Sequence, residues 1–269
     1  HQKEVNYALK PALNKEEFIK AILTGLTPPP GYFPKNVLMN IQGYESLDTV
    51  LERGHKALTA ENFEMVANET NALVLDTRNA TDFANGFIPN SINIGLDGSF
   101  AQWVGEMIPD IKQEILLVSN PGYEDEAMIR LSRVGYDGSI GYLEGGFDAW
   151  KKAGKEVDTV KRITAEQFAT IHENEKPLTI DIRKKSEFQS QHITDAVNIP
   201  LNEINNHLAE FPKDKPFILH CAGGYRSMIA ASMLKQRGWD NFSDVIGGFT
   251  EIAKTNVPKS EYICPSTML

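Results

Sequence analysis

The chain has 269 residues, enough for about two domains at roughly 150 residues each. Hydrophobic residues at 41% and charged residues at 23% are globular values, which exclude collagen-like, low-complexity and fully disordered chains. With 27 basic against 36 acidic residues, no run of about 18 apolar residues and only Cys221 and Cys264, the sequence argues against a nucleic-acid binder, a membrane-spanning helix and a disulfide scaffold.

Residues 1–55 open the chain with no signal-peptide pattern. Asn14 and Glu17 make a capping box, and Phe18, Ile19, Ile22, Leu23 and Leu26 continue as a helical apolar stripe. Thr27-Pro28-Pro29-Pro30-Gly31 ends that helix, because proline removes a donor and restrains the residue before it. The stripe needs a surface to bury against, on a neighbouring domain or on something upstream.

From Leu58 onward the chain repeats itself. Leu58–Phe63 (LTAENF) matches Ile163–Phe168 (ITAEQF), Asp76-Thr77-Arg78 matches Asp181-Ile182-Arg183, and Ile88–Ile94 matches Ile193–Ile199. The offset is 105 throughout, as from Thr59 to Thr164. Gly145-Gly146-Phe147 then matches Gly247-Gly248-Phe249 at an offset of 102, so a short deletion lies between. Matches in one order at a nearly constant offset indicate two copies of one fold.

In the second copy Thr164 and Gln167 cap a helix. Strands are expected at Leu178–Ile182, Ala196–Ile199, Phe217–His220 and Asp244–Ile246, with a helical turn at Ser186–Gln189. Helices are expected over Leu201–Leu208 and Arg226–Gln236, the latter stopped by Gly238. Strands alternating with helices give an α/β class, with a mostly parallel sheet covered on both faces. The expected domains are 1–55, 56–157 and 158–269.

The chemistry concentrates in Leu219-His220-Cys221-Ala222-Gly223-Gly224-Tyr225-Arg226-Ser227. A buried strand runs into Cys221, a glycine turn follows, and a helix begins near Arg226. Backbone N–H groups in a tight loop form an anion-binding nest, to which a helix N-terminus adds its unsatisfied donors. A thiol there is expected to ionise well below the usual value of about 8.5. Arg226 would add a cation and Ser227 a hydroxyl donor, while Gly223 and Gly224 permit the turn. The result is a nucleophile in a cradle for an oxyanion or a charged covalent intermediate.

Residues 56–269 resemble a tandem pair of rhodanese domains. The resemblance rests on the loop Cys221–Arg226, on Asp181-Ile182-Arg183 with Glu187-Phe188, His192-Ile193 and Ala196–Ile199, and on Gly247-Gly248-Phe249. It implies a sulfurtransferase in which Cys221 becomes a persulfide. Small-molecule sulfur donors such as thiosulfate or glutathione persulfide would load it, and thiols, sulfite or cyanide would collect the sulfur. Cys221 and Arg226 would be catalytic, with Ala222, Gly223, Gly224, Tyr225 and Ser227 binding substrate. Glu16–Ile19, Leu26–Phe33 and Asn40 resemble the end of a persulfide dioxygenase domain of the metallo-β-lactamase superfamily, which can be fused ahead of tandem rhodaneses. Such a domain needs a His-x-His-x-Asp-His cluster, which the six histidines of this chain do not form. No metal or cofactor is expected within the chain, any iron would lie upstream of His1, and neither nucleic acid nor membrane is an expected partner. A cytoplasmic location fits the cysteine usage.

The first copy departs from the pattern. Ser119 falls opposite Cys221, Glu124 opposite Arg226 and Phe87 opposite His192. A serine carries no persulfide, and Glu124, Asp125 and Glu126 would repel an anion, so this copy is expected to be inactive. His220, Asp181, Arg183 and His192 are read as structural, Tyr225 as shaping the pocket mouth, and Cys264 as a bystander. Two rivals remain: a cysteine phosphatase or arsenate reductase, which holds tetrahedral anions in a longer Cys-x5-Arg loop, and a non-catalytic binding module.

Overall fold

The computed structural model describes Leu9, residues 14–23 and residues 30–264. Three helices precede the first sheet: α1 (Lys15–Leu23), α2 (Phe33–Gln42) and α3 (Leu47–Gly54). Asn14 and Glu17 exchange the two hydrogen bonds of a capping box, at 2.9 and 3.1 Å. Leu26 and Thr27–Pro29, where the sequence places the helix end, lie outside the described residues. The stripe on α1 buries none of its residues; Phe18, Ile19 and Leu23 are exposed. Instead α3, capped by Ser46, buries Val50 and Gly54, and Gly54 is pressed between Met128 and Ser139. The sequence reading missed α2 and α3; Ser46 ahead of Asp48 is the start signal it passed over.

The first sheet contains β1 (Ala57–Leu58), β2 (Leu73–Asp76), β3 (Ile92–Asn93), β4 (Ile115–Val118) and β5 (Ser139–Leu143), in the order β1-β5-β4-β2-β3. Helices α4 (Ala60–Thr70), α5 (Ala80–Asn85), α6 (Phe100–Met107), α7 (Glu124–Ser132) and α8 (Gly146–Lys152) belong to it. The second sheet contains β6 (Arg162–Ile163), β7 (Leu178–Asp181), β8 (Val197–Asn198), β9 (Phe217–His220) and β10 (Phe242–Val245), in the order β6-β10-β9-β7-β8. Its helices are α9 (Ala165–Glu175), α10 (Lys185–Ser190), α11 (Tyr225–Gln236) and α12 (Gly248–Ile252). Every pairing within both sheets is parallel. The two orders are the same order, so the sequence duplication is a fold duplication. The central strands β4 and β9 are buried along their whole length, which accounts for their continuous apolar runs.

One expected helix takes another form. Leu201–Leu208 is a 3-10 turn over Leu201–Asn206 followed by another over Leu208–Glu210. Leu201 and Ile204 are both buried at an i, i+3 spacing, which a three-residue turn superimposes, and the asparagines between them are weak α-formers.

Each copy is held at the carboxyl end of its second strand by the same buried ion pair. Arg183 grips Asp181 through Nε and a terminal nitrogen, at 2.6–3.0 Å, and lies over the Phe249 ring at 3.9 Å. Arg78 does the same to Asp76 and lies over Phe147 at 4.2 Å. Asn198 and Asn93 each donate two side-chain hydrogen bonds, to the backbone carbonyls of the aspartate and the arginine of their own pair. These residues are therefore framework.

The copies pack as one body. The largest apolar cluster runs through both, with Ile94 and Trp103 from the first and Leu201, Ile204 and Met233 from the second. The Asn93 backbone amide donates to Ser232 Oγ at 3.0 Å, and Gln236 Nε2 donates to the Asn90 carbonyl at 3.0 Å.

Gly146 and Gly248 occupy equivalent left-handed positions, at φ 62° and 54°. A Cβ at either would fall 2.7 Å from the Ser119 carbonyl or 2.4 Å from the Cys221 carbonyl. Gly146→Ala and Gly248→Ala are each expected to cost about 1–3 kcal/mol in urea unfolding, whichever copy carries the change.

Candidate active site

Strand β9 ends at His220 and delivers Cys221 into a turn that closes at Gly224, the cap of α11. Gly224 has φ 102°, a region that favours glycine. That conformation aims its N–H back at the strand end, where it donates to Cys221 Sγ at 3.1 Å. The next three amides of α11 start the helix and have no carbonyl to reach within it. The loop is pinned from behind: the Cys221 carbonyl accepts from the Phe249 amide at 2.7 Å, and the Ala222 carbonyl from Thr250 N and Oγ1. Cys221 is almost wholly buried, yet it lines a cleft of about 600 Å³ with Gly223, Tyr225 and Arg226.

Of the other residues singled out, Arg226 also lines the cleft, but it is not a lone cation. Its two terminal nitrogens meet Glu187 at 2.6 and 2.8 Å. The Glu187 hydrogen bond holds Arg226 above its ordinary range. Burial pushes Glu187 up, but the Arg226 hydrogen bond and charge outweigh it and the carboxyl ends below its usual range. The pairing with Glu187 is not visible in the sequence; the one signal is that a half-buried arginine needs a carboxylate. Ser227 is fully buried on the far side of the loop, where its hydroxyl donates to the Gly224 carbonyl at 3.2 Å. Its side chain faces the framework instead of the cleft because it sits a turn into α11. The Tyr225 hydroxyl donates to the Gly95 carbonyl of the first copy at 2.7 Å, and burial pushes its pKa above the usual phenol value.

That last bond shows what the sequence hid. The first copy builds one wall of the cleft, with Gly98, Ser99, Gln102 and Trp103, while Lys184 and Glu187 complete the other side. A Cβ on Gly98 would fall 2.3 Å from the Tyr225 ring, so the wall fits only without a side chain there. Gly95 and Gly98 are the legible trace, the two ends of a short turn that follows β3.

The first copy's loop has the same turn and a different occupant. Gly122 has φ 90°, and its amide donates to Glu124 Oε2 at 2.8 Å. The amide that meets sulfur in one copy is satisfied by a carboxylate in the other. Ser119 Oγ is buried against Thr77 Oγ1 at 2.7 Å. Phe87 stacks on Phe83 as His192 stacks on Phe188, at 4.2 and 3.9 Å, so His192 fills a packing position. Among the described residues, no group of three or more His, Cys, Asp or Glu side chains could hold a metal, and no helix is long and apolar enough to cross a membrane.

A family model for the rhodanese-like domain matches residues 59–153 and again 164–255. The chain belongs to the rhodanese family. It is 34% identical over 99 residues to the thiosulfate sulfurtransferase GlpE of Pseudomonas syringae, spanning 37% of this chain and 92% of that one. A sulfurtransferase of Allochromatium vinosum is 30% identical over 100 residues, 37% of this chain and 94% of its own. Among solved structures, a rhodanese-related protein of Thermoplasma volcanium is 31% identical, with a TM-score of 0.34, over 37% of this chain and 97% of its own. Thiosulfate sulfurtransferase of Pseudomonas aeruginosa covers 77% of this chain and 44% of its own at 20% identity and a TM-score of 0.35.

His220, next to Cys221, points away from the cleft. Its Nδ1 meets the Cys221 carbonyl at 3.1 Å, and its ring lies fully buried near Phe249. Burial pulls its pKa below the usual value, so the neutral form is favoured. A depressed base supports the fold above its unfolded pKa of about 6.5 and loses that support as pH falls. His220→Asn is therefore expected to lose less stability than the parent between about pH 6.5 and 5, measured by thermal unfolding across that range.

Proposed function

We propose that this chain is a rhodanese-type sulfurtransferase whose second copy does the chemistry and whose first copy is inactive. The supporting observation is the Gly224 N–H at 3.1 Å from a cysteine sulfur, at a helix start, facing an open cleft. A donor held where backbone dipoles already point stabilises negative charge without reorganising. Cys221 thiolate attacks the outer sulfur of thiosulfate or of a low-molecular-weight persulfide. The new S–S bond forms on Cys221 as the donor's S–S bond breaks, and sulfite or a thiolate leaves with the electron pair. An acceptor thiol, sulfite or cyanide then attacks that outer sulfur and returns Cys221 as thiolate. Arg226, fixed by Glu187, lines the path of the anionic donor, and Gly223 and Tyr225 shape it. The residue types of the first copy support its silence, since Ser119 cannot hold the sulfur and Glu124 fills the cradle.

A sulfite acceptor also suits the resemblance of residues 16–40 to the end of a persulfide dioxygenase, since a domain of that kind would oxidise a persulfide to sulfite. The cysteine phosphatase reading fits less well. Four residues separate Cys221 from Arg226, and the Arg226 fork that would hold a phosphate is taken by Glu187.

Incubation with thiosulfate or glutathione persulfide should add the mass of one sulfur atom to the intact chain. The addition should vanish in Cys221→Ser and persist in Cys264→Ser; an adduct that follows Cys264 would refute the assignment. Arg226→Gln should slow loading by at least about tenfold, as expected for losing a charged hydrogen-bonding group. Aryl phosphates should not turn over, and no adduct with any donor would favour a binding module.

A further inference from the structure

The cleft that Cys221 lines carries polar groups that the transfer step leaves unused. Lys184 lines it from the start of α10, and Gln102 lines it from α6 of the first copy. Neither the Lys184 ammonium nor the Gln102 carboxamide has a hydrogen-bond or ion-pair partner among the described residues. The charges around Lys184 do not satisfy it. Glu187 is held by both terminal nitrogens of Arg226. Glu106 stands one turn beyond Gln102; burial raises its carboxyl above the usual range and the Lys184 charge opposes the rise, yet the two form no ion pair. Because Arg226 is taken by Glu187, Lys184 is the one unpaired cation among the residues lining the cleft. The volume of about 600 Å³ is far more than a five-atom anion fills and is in the range that holds a small organic ligand.

The duplication supplies a comparison within one molecule. At the offset of 105, Lys184 falls on Asn79. Asn79 caps α5, its Oδ1 accepting from the Thr81 and Asp82 amides at 2.9 Å each. Lys184 has no acceptor to offer and puts a cation at the positive end of α10, so it weakens the start of that helix. Its own backbone amide donates to Glu187 Oε2 at 3.2 Å, the same oxygen that takes Arg226 Nη1 at 2.6 Å. One carboxylate thus fixes Arg226 and the backbone of Lys184 together. Framework needs do not explain the lysine, because the first copy builds the same turn better with asparagine.

Resting on the sulfurtransferase reading above, we propose that Lys184 and Gln102 form a subsite for a carboxylate on the organic part of the sulfur donor. The substrate class is then a low-molecular-weight persulfide that carries a carboxylate, in preference to thiosulfate, and the first copy helps to choose the substrate of the second. An ammonium supplies charge and a carboxamide supplies directed N–H donors, which together match one carboxylate. Lys184 is exposed, so its charge contributes modestly; Gln102 is half-buried and adds the geometric requirement. Trp103 and Tyr225 line the same cleft and give the carbon chain between sulfur and carboxylate an apolar surface. The sulfur step is unchanged, and the subsite decides only which donor reaches it.

Second-order rates of sulfur loading on Cys221 are measured by intact mass for wild type, Lys184→Asn, Lys184→Arg and Gln102→Leu. The donors are glutathione persulfide, 2-mercaptoethanol persulfide (which has no carboxylate) and thiosulfate. The rate with glutathione persulfide relative to 2-mercaptoethanol persulfide should fall about threefold in Lys184→Asn, as for an exposed ion pair. It should fall about fivefold in Gln102→Leu, the worth of one hydrogen bond, and Lys184→Arg should keep the wild-type ratio. Lys184→Asn should also raise Tm by about 1–3 °C by restoring the cap. An unchanged ratio in either Lys184→Asn or Gln102→Leu overturns the subsite, and a lower Tm in Lys184→Asn returns the lysine to the framework. A thiosulfate rate that falls as far as the glutathione persulfide rate in Lys184→Asn also overturns it, since a general pull on anions gives that result. Independently of sulfur transfer, S-methylglutathione should protect Cys221 from iodoacetamide, with half-protection at about threefold higher concentration in Lys184→Asn. If no donor loads Cys221 but this protection depends on both side chains, the subsite stands and the sulfurtransferase reading falls. If Cys221 loads with the same donor ratios in every variant, the reading stands and the subsite falls.

Discussion

Both halves of this molecule depend on one buried interaction, the grip of an arginine on the aspartate two residues before it at the end of a strand. Removing two charges from water is costly, and such a pair persists where every remaining lone pair and proton is satisfied. Here much of that need is met. The terminal nitrogen of Arg183 that meets Asp181 also reaches the Gln191 carbonyl, that of Arg78 the Gly86 carbonyl, and an aromatic ring covers each guanidinium. The pair ties the strand end to the loop after it and to the Gly-Gly-Phe turn. In the second copy that turn presses Gly248 against the Cys221 carbonyl. The Cys221 loop thus inherits its position from a scaffold that also exists in the copy without a cysteine.

The duplicated fold was legible because duplication writes the same instruction twice. Asp-x-Arg, the asparagine after it and the glycine pair each recur, and each does the same thing in both sheets. The cysteine loop was legible for a different reason: a strand, two glycines and a helix start dictate where amides point, and the Gly224 bond to sulfur follows from those residues alone. What escaped were pairings between distant segments. Glu187 against Arg226, Gly98 against Tyr225, and Arg162 against Asp244 are separated by 39, 127 and 82 positions respectively. No local periodicity encodes them. The helix expected over Leu201–Leu208 failed for a related reason, since burial of Leu201 and Ile204 on one side selected a tighter turn.

The first copy has a structural share in the cleft. Its segment around Gly95–Trp103 walls the cleft, and its Thr81 receives Arg162. Substitutions in the first copy can therefore reach the sulfur through one hydrogen bond or one ring contact, although none of its residues resembles a nucleophile.

Glu124 carries a consequence of its own. It seats a negative oxygen on the Gly122 amide, while the corresponding Gly224 amide faces a sulfur atom, and the two turns have nearly the same φ, 90° and 102°. The same turn thus holds its amide against a carboxylate oxygen in one copy and a sulfur atom in the other. Charge accumulating on sulfur would meet dipoles that are already aligned, with little reorganisation energy added to the barrier.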